Sequence, residues 1–143
     1  MSYLSAQIDD GEYLTNFVLE SNKFKSEKLA SGGGVRVVVH YKAFEPEKTG
    51  ERSVFRMDGL DKDAIAELGR TFVGQPREKP IYGWGRIKAV AVRRAVPLQV
   101  RADEPPPRHA VIDTWPPEVE HARALMMELA SEAEPTKLDQ PLR

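Results

Sequence analysis

The sequence predicts an α+β domain: a mostly antiparallel sheet of about five strands with a C-terminal amphipathic helix packed on one face. Three stretches carry that expectation. Residues 35–44, VRVVVHYKAF, alternate with the period of a pleated strand, Val35, Val37, Val39 and Tyr41 sharing one face. Residues 81–92, IYGWGRIKAVAV, read as a long strand with Ile87, Ala89 and Ala91 on one face and Arg86 and Lys88 on the other. Residues 108–133, RHAVIDTWPPEVEHARALMMELASEA, read as a buried strand, a proline-marked turn and a well-patterned helix.

Taken in order, residues 1–22 are a polar lead-in with a short amphipathic piece at 13–19. Residues 23–34 lack periodicity and end in Gly32, Gly33 and Gly34, which suits a surface loop. After the strand at 35–44, a turn at 45–51 built on Pro46 and Gly50 leads to a second strand at 52–57, so the two can pair as a hairpin. Residues 59–69 read as a short helix. Asp61 suits its N-cap, Leu60 and Ile65 a hydrophobic staple, and Gly69 its end.

A loop with two prolines at 74–80 precedes the long strand, in which Gly83 and Gly85 mark a bulge or a close backbone approach. Arg93 and Arg94 mark a turn before a strand at 96–100, and a rigid DEPPP linker at 103–107 leads to a short buried strand at 109–113. The last helix is expected from about Trp115 to Ala133, capped by Thr114, with Pro116 and Pro117 in its first turn. Val119, Ala122, Leu125, Met126, Leu129, Ala130 and Ala133 give it a continuous apolar stripe. Pro135 stops it. Residues 1–134 thus read as one α+β domain and 135–143 as a disordered tail.

Composition bounds the chemistry. Apolar residues make up 41% and charged residues 30% of the 143-residue chain, which is ordinary for a globular protein. There is no cysteine, which excludes disulfides, thiolate catalysis, Cys-based zinc sites and iron–sulfur clusters. Residues 1–17 lack the basic and apolar regions of a signal peptide, and no apolar run reaches the roughly 18–20 residues that span a bilayer. A cytoplasmic location is the expectation.

The net charge of −1 is unevenly placed. Residues 70–101 carry eight Lys/Arg and one acid, residues 1–69 nine against twelve, and residues 102–143 four against nine. A basic middle of this kind either meets a polyanion or is neutralised by the acidic ends folding back on it. The second outcome is favoured.

No catalytic motif stands out. His40, His109 and His121 are far apart and lack any metal-ligand spacing, so no metal and no cofactor are expected. The glycine run precedes a strand instead of a helix N-terminus, which is not the context of a phosphate loop. Arg, His, Ser, Tyr and Glu side chains on strands can nonetheless build a pocket for an anionic ligand. Arg36, His40, Arg52 and His109 are the candidates for such a pocket, with Arg56, Tyr41, Ser53 and Glu67 as further groups that can converge. Arg86, Lys88, Arg93, Arg94 and Arg101, near Tyr82 and Trp84, are the candidates for a nucleic-acid surface, where cations meet phosphates and rings stack on bases.

Two segments together resemble a family of small uncharacterised bacterial proteins. One is residues 43–60, with Phe44, Pro46, Ser53 and Val54 as matching positions. The other is residues 109–133, with His109, Ala110, Ile112, Pro116, Leu129, Ala130 and Ala133. The resemblance implies a bacterial origin and no particular activity.

The reading that follows is a non-catalytic accessory or regulatory module that binds another protein. The alternatives are nucleic-acid binding through the basic segment 70–101 and a small nucleotide-binding enzyme using Arg36, His40, Arg52 and His109.

Overall fold

The computed structural model describes residues 4–29 and 32–143. It is α+β, with a mostly antiparallel sheet as expected, but the main sheet has six strands and a second sheet has two. The strands are β1 (Tyr13–Val18), β2 (Phe24–Lys28), β3 (Val35–Val39), β4 (Arg52–Arg56), β5 (Ile81–Lys88), β6 (Gln99–Ala102), β7 (His109–Asp113) and β8 (Glu134–Leu142). The order across the main sheet is β6-β7-β4-β1-β5-β8, every neighbouring pair antiparallel; β2 and β3 pair with each other.

Four helices flank the main sheet: α1 (Lys62–Gly69), α2 (Gln75–Arg77), α3 (Ala89–Arg94) and α4 (Val119–Glu132). A π-helical turn at Arg70–Gly74 joins α1 to α2. Strand alternation sorts the core into two layers. Leu14, Val18, Val54, Ile87, Ala110 and Ile112 face α3 and α4, where Val92, Leu125, Met126 and Leu129 pack. Phe17, Phe55, Ile81 and Trp84 face the α1 side with Ile65 and Val73. Helices therefore cover both faces, α4 one of them.

Several elements stand where the sequence placed them. Asp61 caps α1, accepting from Ala64 N at 2.8 Å. Trp84, expected beside a nucleic-acid surface, is by contrast buried in the core and packed edge-on against Phe17. Gly83 marks a bulge: the register shifts between Ile81 and Gly83, which puts both Ile81 and Trp84 on the same face. Its φ is 150°, and a Cβ there would stand 2.1 Å from the Thr136 carbonyl oxygen, so only glycine fits.

Other elements differ, each for a physical reason. Residues 13–18, read as an amphipathic piece in a polar lead-in, form the strand β1, which has a partner on each side. It is buried on both faces, Thr15 and Asn16 included, so it shows no polar–apolar alternation. Residues 24–28, read as loop, form β2, because β3 pairs with it and not with β4; the expected hairpin does not form. Residues 89–94 form α3, not a continuation of the strand. In an Ala/Val run, Ala89 and Val92 bury equally well at helical spacing, so periodicity alone does not separate the two.

α4 begins at Val119, after Pro116 and Pro117, with Thr114 in the left-handed region at φ 64° and outside the cap. Residues 135–143, read as a disordered tail, contribute 135–142 to the edge strand β8. Prolines are tolerated at an edge, and Leu138 and Leu142 pack against the Trp84 core.

Candidate functional site

β4 and β7 pair with Ser53 opposite Val111 and Phe55 opposite His109, so Ser53, Phe55 and His109 share the face that α1 covers. Gly69 lets the end of α1 lie directly on Phe17: a Cβ there would be 2.4 Å from the ring. The π-helical turn that follows sets Phe72 and Val73 over β4, a distortion common at functional sites. The result is a cavity of about 160 Å³ lined by Arg52, Ser53, Phe55, Phe72, Arg77 and His109, among others.

The polar groups in it form a chain. His109 Nδ1 lies 2.8 Å from the Asp103 carbonyl oxygen, which can only accept. Nδ1 therefore carries the proton, and Nε2 of the neutral ring is left to accept from the Ser53 hydroxyl at 3.1 Å. The Asp103 carboxylate stands 3.4 Å from Nδ1 and is itself paired with Arg101 at 3.5 Å. Phe55 packs edge-on against the imidazole, with ring centroids 5.4 Å apart. The ring is thus held in position and in tautomer, with its basic nitrogen on a serine.

Arg52 supplies positive charge. Its Nη1 donates to the Glu45 carbonyl at 3.1 Å, while its buried Nε has no hydrogen-bond partner. Burial and the nearby Arg77 cation pull the Arg52 guanidinium below its ordinary value; Glu47 and Glu45 oppose the shift. An arginine remains protonated under such a shift. A desolvated, unpaired guanidinium N–H is a costly group to leave empty and a strong donor to an anion.

Of the candidate pocket residues, Arg52 and His109 line one cavity, and Ser53 bonds His109 there. Arg36 lies on exposed β3, paired with Glu27 at 3.6 Å, and lines a different groove. His40 stacks on Tyr41 and accepts from Lys42 N at 3.1 Å, also outside the cavity. Both left the site when β3 paired with β2 instead of β4. Arg56 is buried against Glu12, and Glu67 pairs with Arg70 and Thr71 on α1. Phe72 comes from the π turn, Arg77 from α2 and Asp103 from a loop, and no spacing in the sequence announced them.

The basic segment is neutralised to a large extent. Arg86 pairs with Glu134 at 2.6 Å, Arg93 with Asp10 at 2.7 Å, and Arg101 with Glu51 and Asp113 at 2.7 and 2.8 Å. The acids come mostly from the ends, as favoured from the charge pattern. Arg86 and Lys88 lie over the Tyr13 ring, and Arg94 is exposed on α3. Trp84 is buried, so it offers no stacking surface.

Among the described residues, no group of three or more His, Asp or Glu side chains gathers as a metal site, and no helix is long and apolar enough to cross a membrane. No protein-family model, no curated protein and no solved structure matches the chain.

Proposed function

We propose that the protein binds a small anionic ligand with an apolar or planar body in the cleft of Arg52, Ser53 and His109, in a cytoplasmic setting. The observation that carries this is a cavity lined jointly by Arg52, Arg77, Ser53 and His109 and walled by Phe55 and Phe72. Size narrows the ligand. A cavity of about 150 Å³ holds a benzene ring, and this one is about 160 Å³. A carboxylate or phosphate on a small ring or short chain fits, whereas a whole nucleotide, needing 300 Å³ or more by the usual size of ligand pockets, extends outside.

A thermal-shift series with benzoate, phenyl phosphate and inorganic phosphate tests this reading. A ligand at 100 times its Kd stabilises by about 2.7 kcal/mol, and the shift is expected with benzoate or phenyl phosphate and absent in Arg52→Met. A flat series, or a shift undiminished in that variant, counts against it.

A second reading, attachment to another protein, is favoured by exposed apolar side chains. Val35 is 64% exposed, and Val37 and Met127 line a groove between β3, α4 and β8. Exposed valines on a two-stranded sheet suit a partner that packs over them. The test is affinity capture with Val35→Ser/Val37→Ser as the control. A partner held by the wild type and lost in the variant supports this reading, and equal capture by both removes it.

A further inference from the structure

We propose that Ser53 is a nucleophile and His109 its general base, and that the cleft hydrolyses small carboxylic esters by way of an acyl-serine. The proposal rests on the binding reading above and deepens it, since the acid product of such a reaction is the anion that Arg52 is placed to meet.

The geometry meets the requirements of an activated serine. The nucleophile and base must lie within about 2.6–3.2 Å, and the base must be oriented by a third group. Ser53 Oγ and His109 Nε2 are 3.1 Å apart, and Asp103 holds Nδ1 at 2.8 Å through its carbonyl oxygen. The ring is 13% exposed and flanked by Phe55, which limits water around the base without sealing it off. The serine and histidine sit on paired β-strands, not loops, so the pair is fixed by backbone register.

The chemistry closes. Ser53 Oγ attacks the acyl carbon, forming a C–O bond, while its proton passes to His109 Nε2. Charge gathers on the carbonyl oxygen, and the Arg52 and Arg77 side chains, which line the same cavity, are the cations that offset it. The C–O bond to the leaving alcohol breaks, and the alcohol takes the proton from His109. Water then attacks the acyl-serine, again giving its proton to Nε2, and the carboxylic acid leaves with the Ser53 hydroxyl restored. The cavity, about 160 Å³ and walled by Phe55, Phe72 and Val73, selects short aliphatic or benzoyl esters.

The test is covalent labelling with a small alkyl fluorophosphonate, read by intact mass and by peptide mapping. Attack by Ser53 forms the P–O bond and expels fluoride. The wild type is expected to label once, at Ser53. Ser53→Ala should not label, and His109→Gln should label at least about 100-fold more slowly, the usual contribution of a general base. Arg36→Met, which alters a side chain outside the cavity, should label at the wild-type rate. Labelling at Ser53 that depends on His109 separates the proposal from a merely structural hydrogen-bond network.

Thermal melts of each variant establish that it is folded, and p-nitrophenyl butyrate turnover should follow the labelling. Folded wild type that does not label, or label found away from Ser53, overturns the proposal. If that protein still gains stability from benzoate in an Arg52-dependent way, the binding reading survives alone.

Discussion

Arg56 and Glu12 form a two-bonded ion pair across 44 residues of sequence: Nε to Oε1 at 2.5 Å and Nη2 to Oε2 at 2.9 Å. Both side chains are buried, 3% and 5% exposed. Arg56 also donates to the Ser5 carbonyl at 2.6 Å, so one guanidinium ties the N-terminal segment to the sheet. The hydrogen bond to Glu12 is the main cause holding Arg56 above its ordinary value, against burial.

Breaking a buried pair from one side leaves the other charge uncompensated. Glu12→Gln is therefore expected to destabilise by about 3–5 kcal/mol, seen as a lower urea midpoint. Glu12→Leu with Arg56→Met removes both charges and should lose less than the single change. A single change costing under about 1 kcal/mol, within the range of a surface pair, would contradict the assignment.

Gly83→Ala forces a Cβ to within 2.1 Å of the Thr136 carbonyl oxygen at φ 150°. Strain of this backbone type alone is worth about 1–3 kcal/mol, and the clash adds to it. Reduced melting temperature together with faster amide exchange in β8 is the expected outcome. Unchanged exchange there would mean that β8 is not held against Gly83.

The ladder between β5 and β8 makes a direct prediction for proteolysis. Lys137 pairs with Gly83 in that ladder. Native protein should resist trypsin after Lys137, and truncation after Ala133 should lower the melting temperature by removing Leu138 and Leu142 from the Trp84 core. Rapid native-state cleavage after Lys137 would sink this.

Arg52 and Arg36 separate the cleft from the rest of the surface. A hydrogen bond to a charged group contributes about 1.5–3 kcal/mol, so Arg52→Met should weaken benzoate binding at least about 10-fold by calorimetry. Arg36→Met, which alters a side chain outside the cavity, should leave the affinity unchanged.

His40 gives the fold an acid-side sensitivity. Burial first, then the cations Lys25, Lys23 and Lys42, lowers its folded-state pKa from the ordinary histidine value. The fold thus prefers the neutral ring. Its stabilising effect is whole above the unfolded value, near pH 6.5 for a histidine, and is lost as pH falls through the lower folded value. Wild type should therefore lose more stability than His40→Gln between pH 7.5 and pH 5. Parallel losses would show that Lys23, Lys25 and Lys42 do not act on this ring.

The parts of the fold legible in the sequence are those with a run of β-branched or apolar residues or a local signal. β4 and β7 show as short apolar runs, Asp61 caps its own helix, and Gly83 marks its bulge. β1 is buried on both faces and includes Thr15 and Asn16, so it reads as polar chain. β8 is stabilised by β5, a partner far away in sequence, so nothing in EPTKLDQPL announces it. In the cleft, Arg52, Ser53 and His109 were nameable from residue type and strand position. Their exclusive company was not, because it depends on β4 choosing β7 and β1 as neighbours and leaving β3, with Arg36, to β2.

The position of β1 bears on how the chain reaches this state. It lies between β4 and β5, so the first strand to be synthesised has no hydrogen-bonding neighbour until residues 52–56 and then 81–88 have been made. At about 5–20 residues per second, the usual rate of synthesis, several seconds pass between Val18 leaving the ribosome's catalytic centre and the arrival of Ile81. During that interval Leu14, Phe17 and Val18 lack the neighbours that bury them in the finished sheet, so the central strand of the fold waits longest for its partners.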